Sequence, residues 1–246
     1  MSGNEKHSPL EQFKIHYLSD FSDVAGVNLN FSNASLFMVL AAGLVTLLML
    51  SSIRSRALVP GRWQNISEIM YEFVAGMMND TVGHQGRKYF PFIFTLFMFI
   101  LFSNLLGMVP YSFTTTSHIA VTFALALVVF IGVTVIGFIK HGTHFFSLFC
   151  PKGTPLIIAP LLVLIELFAY LVRPVSLSVR LAANMLAGHT MLKVFAGFVV
   201  SMGFLGIAPL SFMVLLTGFE IFVALLQAYV FTILTCVYLN DAIHLH

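Results

Sequence analysis

The chain has 246 residues, of which 59% are hydrophobic and only 9% are Asp, Glu, Lys or Arg, and its mean hydropathy is +0.95. Soluble domains carry roughly 25% charged residues, so this composition excludes a water-soluble globular protein and indicates an integral membrane protein. The net charge of +2 gives no sign of nucleic-acid binding. Cys150 and Cys236 lie far apart at apolar positions, and we expect buried thiols rather than a disulfide.

The chain divides into a short polar segment and a long apolar one. Residues 1–34 are polar and mixed in charge, and we expect them to lie outside the membrane. Residues 35–246 then form a single polytopic membrane domain. Its first half contains three runs long enough to cross a hydrocarbon core of roughly 30 Å as helices. These runs are Ser35–Ile53, Tyr89–Pro110 and Ile119–Ile139.

The segment between the first two spans has a different pattern. In Trp63–Thr81 the apolar residues recur at helical spacing, and the polar residues fall largely elsewhere on the helical wheel. This pattern favours an amphipathic helix that lies in the interface plane of the membrane. An amphipathic helix packed on a partner is the alternative.

Basic residues predict the orientation of the spans. They concentrate between the first and second spans and after the third, whereas Tyr111–His118 contains neither Lys nor Arg. The positive-inside rule places the basic loops on the cytoplasmic or matrix side, so the N-terminus lies outside and the C-terminus inside. The residues concerned are Arg54, Arg56, Arg62, Arg87, Lys88, Lys140 and Lys152.

The last third of the chain is almost continuously apolar, with its clearest break at Gly203–Pro209. A helix over Pro160–Met202 would be about 65 Å long at 1.5 Å per residue. Such a helix has to tilt steeply, kink at Pro174 or break in order to fit the membrane. The sequence therefore predicts an all-α membrane protein of about five to six helices that ends in a hairpin of two long, strongly tilted helices. The hairpin occupies about residues 156–240, with Pro209–Leu239 as its second arm; three or four conventional spans are the alternative.

Arg180 lies within one of the most apolar stretches of the chain. A guanidinium at the bilayer centre costs about 3 kcal/mol and cannot be neutralised, so such a residue indicates an ion path, a proton relay or a counter-ion. Glu166 and Arg173 precede Arg180 at intervals of seven residues and lie near the same helix face, and Asn184 follows one turn later. Glu166 and Arg180 would be about 21 Å apart on one helix. Their charges therefore need water or a partner subunit.

The second arm carries a matching set of polar residues. Glu220 and Gln227 are again seven residues apart. In an antiparallel hairpin that turns near Gly206, His189 and Glu220 lie at similar distances from the bend and can pair or share water. Each residue also has an ordinary structural interpretation, such as a hydrogen-bonded core position for His189 or an interfacial position for Arg173. The spacing of the remaining histidines predicts no metal site, and we expect no cofactor.

Several motifs carry a resemblance to a known family. They are Arg180-Leu-Ala-Ala-Asn-Met-Leu-Ala-Gly-His and, after Glu220, Gln227-Ala-Tyr-Val-Phe-Thr-Ile-Leu, together with Asn104-Leu-Leu-Gly-Met-Val-Pro. Over nearly its whole length the chain resembles the family of subunit a of the F-type ATP synthase, the membrane stator that works against the rotating c-ring. The order of His189 before Glu220 is similar to the alphaproteobacterial and mitochondrial branch.

The resemblance implies a non-catalytic, proton-translocating subunit with two aqueous half-channels at the c-ring. Arg180 would separate the half-channels and favour the ionised form of the ring carboxylate opposite it. His189 and Glu220 would line the outer half-channel, and Glu166 would belong to the inner one. The full proton path implied by the resemblance comprises Glu166, Asn184, His189, Glu220 and Gln227, with Arg173 in support.

The resemblance also implies partners and a location. The partners are the c-ring, a peripheral-stalk subunit of the b type, other membrane stator subunits and the lipid bilayer, with no nucleic acid. The location is the bacterial inner membrane, with the mitochondrial inner membrane as the alternative. A secondary transporter would show internal repeats, and a membrane-embedded hydrolase would need a nucleophile with its base or a metal set at membrane depth. The sequence shows neither feature.

Overall fold

A computed structural model describes residues 17–19, 31–54, 61–109, 112–149 and 158–244. Most of the predicted polar segment 1–34 lies outside the described residues, as do Arg56, Cys150 and Lys152. Within the described ranges the chain forms six α-helices, four short 3-10 segments and one small β-ribbon.

The helices are α1 (Asn33–Arg54), α2 (Arg62–Val82), α3 (Phe90–Gly107), α4 (Ile119–His141), α5 (Ala159–Ser201) and α6 (Ile207–Ile243). Short 3-10 segments lie at His84–Tyr89, Thr115–Ser117, Gly142–Phe149 and Gly203–Gly206. Two strands precede α1 and pair antiparallel, β1 (Tyr17–Ser19) and β2 (Phe31–Ser32). The predicted all-α class and helix number are confirmed, while the short ribbon is a feature that the sequence did not predict.

Five helical segments are long and apolar enough to cross a membrane. They are Asn33–Ser52, His84–Gly107, Ile119–His141, Ala159–Ser201 and Ile207–Ile243. The chain is thus a multi-pass membrane protein, and the three spans predicted in its first half are confirmed. The second of these ends at Gly107 rather than Pro110, because the chain turns after the Gly.

α2 is the amphipathic helix that the sequence predicted, and it does not qualify as a span. Its buried residues include Val74, Met77 and Met78, and it packs on α1, α3 and α6. Glu68 and Glu72 remain exposed on its outer side. Large apolar side chains of α2 are exposed as well, including Trp63, Ile66, Ile69 and Phe73. One side of the helix therefore packs on the bundle, while the other side carries both apolar and charged residues.

The C-terminal hairpin consists of two unbroken helices of 43 and 37 residues. α5 continues through Pro174, which removes one backbone hydrogen bond without ending the helix. This continuity rules out the alternative of three or four conventional spans. A helix of 43 residues is far longer than a core of roughly 30 Å requires, so α5 has to tilt in a membrane.

Two glycines make the hairpin turn possible. Gly203 has a φ of 56°, a left-handed conformation that side chains other than Gly rarely adopt. At Gly206 a Cβ atom would lie 2.6 Å from the carbonyl oxygen of Val199, so no side chain fits there. The turn lets α5 and α6 pack antiparallel, and α6 also packs on α3 while α5 packs on α4.

Candidate functional site

Polar side chains connect α5 and α6 at three levels along the hairpin. The level closest to the turn joins His189 to Glu220, and we call that side of the hairpin the turn end. The level furthest from the turn joins Arg173 to Asp241, and we call that side the open end. From the turn end to the open end, the three pairs are His189–Glu220, Asn184–Gln227 and Arg173–Asp241.

At the turn end, His189 lies between a carboxyl group and a hydroxyl group. Its Nδ1 is 3.7 Å from Oε1 of Glu220, and its Nε2 is 3.1 Å from Oγ1 of Thr114. Glu220 is only 5% exposed, and neither of its carboxyl oxygens has a hydrogen-bond partner among the described residues. A separation of 3.7 Å is longer than a direct hydrogen bond, so the predicted pair is close together but leaves Glu220 able to bond to water.

Gly188 allows Glu220 to approach α5. A Cβ atom at this position would lie 2.5 Å from Oε1 of Glu220 and 2.9 Å from its carboxyl carbon. Any side chain at residue 188 would therefore displace the carboxyl group. The glycine of the Ala-Gly-His run thus has a direct geometric role in this pair.

The end of α3 and the loop that follows it add buried polar atoms near the same pair. Thr114 packs against Gly107, where a Cβ atom would lie 2.8 Å from Cγ2 of the threonine. Asn104 is fully buried and donates from Nδ2 to the carbonyl oxygen of Ala224, one turn along α6 from Glu220. Oδ1 of Asn104 and the hydroxyls of Ser103 and Thr116 are buried without a hydrogen-bond partner among the described residues. Buried polar atoms of this kind are usually satisfied by ordered water.

At the middle level, Arg180 and Asn184 lie exposed on α5. The amide of Asn184 donates to Oε1 of Gln227 at 2.7 Å, and Gln227 is only 2% exposed. Arg180 forms no ion pair with any residue in the described ranges. Ala183 and Ala187 lie exposed on the same side of α5. Because their side chains are small, another helix can approach closely the surface on which the arginine lies.

At the open end, Arg173 has the acidic partner that Arg180 lacks. Its Nη1 is 3.0 Å from Oδ2 of Asp241, and its guanidinium lies 4.8 Å from the ring centre of Tyr238. The ring of Tyr170 lies 5.5 Å from the same guanidinium, and the Tyr170 hydroxyl is 2.6 Å from Oγ1 of Thr134. This open-end cluster joins α4, α5 and α6.

Sequence reasoning identified Arg173 but missed its neighbours. Asp241 follows the apolar part of α6 and resembles an ordinary polar C-terminal residue, although its spacing of fourteen from Gln227 is a usable signal. Glu166 is half-buried near the start of α5 and makes no hydrogen bond or ion pair with any described residue. The structure therefore does not bring Glu166 together with the other predicted site residues.

Comparison with known proteins identifies the family of this chain. A family model described as ATP synthase A chain matches residues 35–240. The chain belongs to this family. The matched region of the ATP synthase A chain family contains all three levels of polar contacts except Asp241, which is the residue just beyond it.

Curated relatives agree with the ATP synthase A chain family over almost the full length. ATP synthase subunit a of Paramagnetospirillum magneticum is 57% identical, over 97% of this chain and 99% of the relative. ATP synthase subunit a of Rhodospirillum rubrum is 56% identical, over 98% of this chain and 100% of the relative. Both relatives are alphaproteobacterial, which confirms the predicted branch. The roles of the individual site residues stay predictions.

Within the described ranges, no three His, Cys, Asp or Glu residues lie close enough together to hold a metal ion. The arrangement instead suits proton transfer. It offers an imidazole and a carboxyl group at the turn end, a permanent cation in the middle, and a partly exposed carboxylate at the open end.

Proposed function

We propose that this chain is the proton-translocating stator subunit of an F-type ATP synthase, a non-catalytic part of the complex. It would give protons a path to and from a rotating ring of carboxyl-bearing subunits. The observation that supports this proposal most strongly is the exposed Arg180, which has no ion pair within the described residues and lies between two polar clusters on long membrane helices.

Arg180 provides a permanent positive charge on the surface that faces the ring. A ring carboxyl group has to be neutral while it passes through lipid, and it has to ionise in order to release its proton. A guanidinium opposite that group favours the ionised form, because opposite charges attract strongly in a medium of low dielectric constant. The same charge repels a hydrated proton, so Arg180 also prevents direct flow between the two half-channels.

The turn-end residues form the outer half-channel of this proposal. Water held by the unpartnered oxygens of Asn104 and Thr116 carries a proton inward to Glu220. His189 lies 3.7 Å from that carboxyl group and can accept and return the proton through its ring nitrogens. From there the proton passes to a ring carboxylate near Asn184, and the neutral carboxyl group then rotates into lipid.

The open-end residues form the inner half-channel. After one rotation the ring carboxyl group meets Arg180 again from the other side, and its proton leaves toward Glu166 and Asp241. Asp241 keeps about a third of its side chain exposed, so water can reach its carboxylate. Arg173 holds this carboxylate in place at the interface between the two helices.

The partners and orientation follow from the same proposal. The ring packs on the exposed side of α5 and α6, and a peripheral-stalk subunit of the b type and other membrane stator subunits hold the chain against rotation. We place residues 1–34 and the turn end outside the bacterial inner membrane, and the C-terminus in the cytoplasm, because His141, the neighbour of the basic Lys140, contacts Ile243 at the open end. Residues 35–246 act as one membrane domain.

Replacing Arg180 tests the proposal. Arg180→Ala is expected to reduce proton-driven ATP synthesis by about 100-fold or more, because a preorganised charge is lost from the reacting group. Arg180→Lys should also fail, because an ammonium group can lose its proton in a low-dielectric site. Synthesis is measured in energised membrane vesicles, with Arg62→Ala at the exposed start of α2 as the control.

Assembly has to be checked in the same membranes. The Arg180 variants should still co-purify with a ring of small two-helix subunits. The presence of this ring also distinguishes the chain from a transporter or a membrane-embedded hydrolase, neither of which would purify with it. Normal synthesis rates in membranes that carry Arg180→Ala would contradict the proposed role of this residue.

A further inference from the structure

A cleft between α2 and α3 is lined by none of the residues of the proposed proton path. It encloses about 430 Å³ and opens where α2 ends and the chain turns toward α3. Its polar lining residues are Arg87 and Asn79, and its apolar walls include Tyr71, Phe90 and Pro91. The cleft therefore combines hydrogen-bond donors at one place with aromatic surface at another, as a binding site for an amphiphilic molecule does.

The turn after α2 fixes the position of Arg87. Gly83 ends the helix with a φ of 73°, and its backbone N–H donates to the carbonyl oxygen of Asn79 at 3.1 Å. Gly86 is buried against Val82, where a Cβ atom would lie at 2.9 Å, so the chain folds back tightly over the end of α2. Gln85 accepts a hydrogen bond of 2.6 Å from Nζ of Lys140, which anchors the same turn to α4. Arg87 is thus held over the cleft by backbone geometry.

The charge around this cleft is positive. Arg87 is exposed and forms no ion pair with any described residue, and Lys88 follows it, also exposed. None of the described residues that line the cleft is acidic. The acidic residues Glu72 and Asp80 line a separate cleft on the side of α2 that faces α6. A negatively charged ligand would therefore be attracted to the Arg87 side of α2.

The aromatic surface continues from the cleft along the span. The rings of Tyr71 and Phe90 lie 4.7 Å apart, and Phe90 stacks on Phe94 at 5.6 Å. Phe92 is exposed on the same helix. An apolar chain that leaves the cleft along α3 would remain in contact with this surface, within the depth of the hydrocarbon core. This continuity favours a lipid over an acidic segment of another protein, which would bring no apolar tail to cover the aromatic rings.

We propose that this cleft binds one anionic phospholipid of the inner leaflet. The guanidinium of Arg87 and the amide of Asn79 donate to the phosphate, and the acyl chains lie along Phe90 and Phe94. Guanidinium and phosphate form bidentate, charge-assisted hydrogen bonds. Basic pockets between membrane helices on the cytoplasmic side are suited to anionic lipid headgroups. The proposal depends on the membrane orientation proposed above, which places this cleft on the inner side. It does not depend on the proton path, because no proton-path residue lines the cleft.

The experiment uses the intact ATP synthase complex with a photoreactive phenylalanine in place of Tyr71, an exposed wall of the cleft. The complex is reconstituted into nanodiscs in which phosphatidylcholine exceeds phosphatidylglycerol, then illuminated, and the adducts on this chain are identified by mass spectrometry. We expect phosphatidylglycerol to be enriched in the adducts relative to the bilayer. Adding Arg87→Gln should lower that enrichment by about fivefold, the effect of one basic residue near a membrane surface.

Arg62→Gln is the matched control, because Arg62 is exposed at the start of α2 but does not line the cleft. It should leave the enrichment unchanged. ATP hydrolysis by each complex shows that the variants assemble. Adducts that follow the bulk lipid composition, an equal loss in both arginine variants, or a crosslink to another protein subunit in place of lipid would each overturn the proposal.

Discussion

At the residue scale, two arginines of one helix differ in their partners. Arg173 pairs with Asp241 at 3.0 Å, whereas Arg180 has no ion pair within the described residues. An unpaired charged side chain costs free energy in a membrane, and proteins retain one where it interacts with a partner molecule. The sequence alone revealed the cost of Arg180, because a charge in an apolar run is visible without a structure. The spacing of fourteen residues places Asp241 near the helix face of Gln227, but its contact with Arg173 depends on the register of the two helices, which the sequence does not give.

The His189–Glu220 pair gives a prediction at the same scale. Exchanging the two residues, as His189→Glu with Glu220→His, should retain more ATP-driven proton pumping than His189→Ala or Glu220→Ala. The exchange keeps an imidazole and a carboxyl group facing each other, so the proton still meets two groups that can accept and donate it. Fluorescence quenching of a pH-sensitive dye in membrane vesicles measures the pumping. Equal loss in the exchanged variant and in both alanine variants would argue against a shared proton path.

At the element scale, the hairpin follows closely from the sequence. The predicted arm Pro160–Met202 is observed as Ala159–Ser201, because apolar residues continue without a breaker strong enough to end the helix and Gly203 then turns the chain. The second arm continues past the predicted end at Leu239 to Ile243. Asn240 and Asp241 interrupt the apolar run at this point, so the pattern gave no signal for the last turn, yet Asp241 secures it to α5.

The burial of the loop between α3 and α4 could not be predicted from the sequence. Thr114, Thr115, Thr116 and Ser117 are all buried, although a run of small polar residues usually indicates an exposed loop. Their burial results from the packing of this loop between α3 and α5, which involves residues far apart in sequence. No periodic pattern in the sequence carries that information.

Gly188 provides the prediction at the element scale. Gly188→Ala should lower proton pumping severalfold, because the added Cβ would lie 2.5 Å from Oε1 of Glu220 and push the carboxyl group away from His189. Gly197→Ala on the same helix is the matched control, since a Cβ there meets nothing within 4 Å. Pumping and the amount of assembled complex are measured together. A loss of the same size in both variants would mean that helix flexibility, rather than the position of Glu220, is responsible.

At the scale of the whole molecule, the two polar clusters lie at opposite ends of the hairpin with Arg180 between them. Composition, the five spans and the placement of basic residues together account for the topology. In the proposed function, the antiparallel hairpin brings the turn-end cluster to one side of the membrane and the open-end cluster to the other. The proposal then requires that the ring carry protons past the arginine.

The most direct test of this central claim is a map of water access from each side of the membrane. It uses the assembled complex without its native thiols, with single Cys substitutions and a membrane-impermeant thiol reagent. Ser103→Cys reports on the turn-end cluster and Thr134→Cys on the open-end cluster, while Val135→Cys, an exposed apolar neighbour on α4, is the control that faces lipid.

We predict that Ser103→Cys reacts only from the outer side, Thr134→Cys only from the inner side, and Val135→Cys slowly from both. Reaction of Ser103→Cys and Thr134→Cys from the same side, or of either one equally from both sides, would contradict two half-channels separated at Arg180.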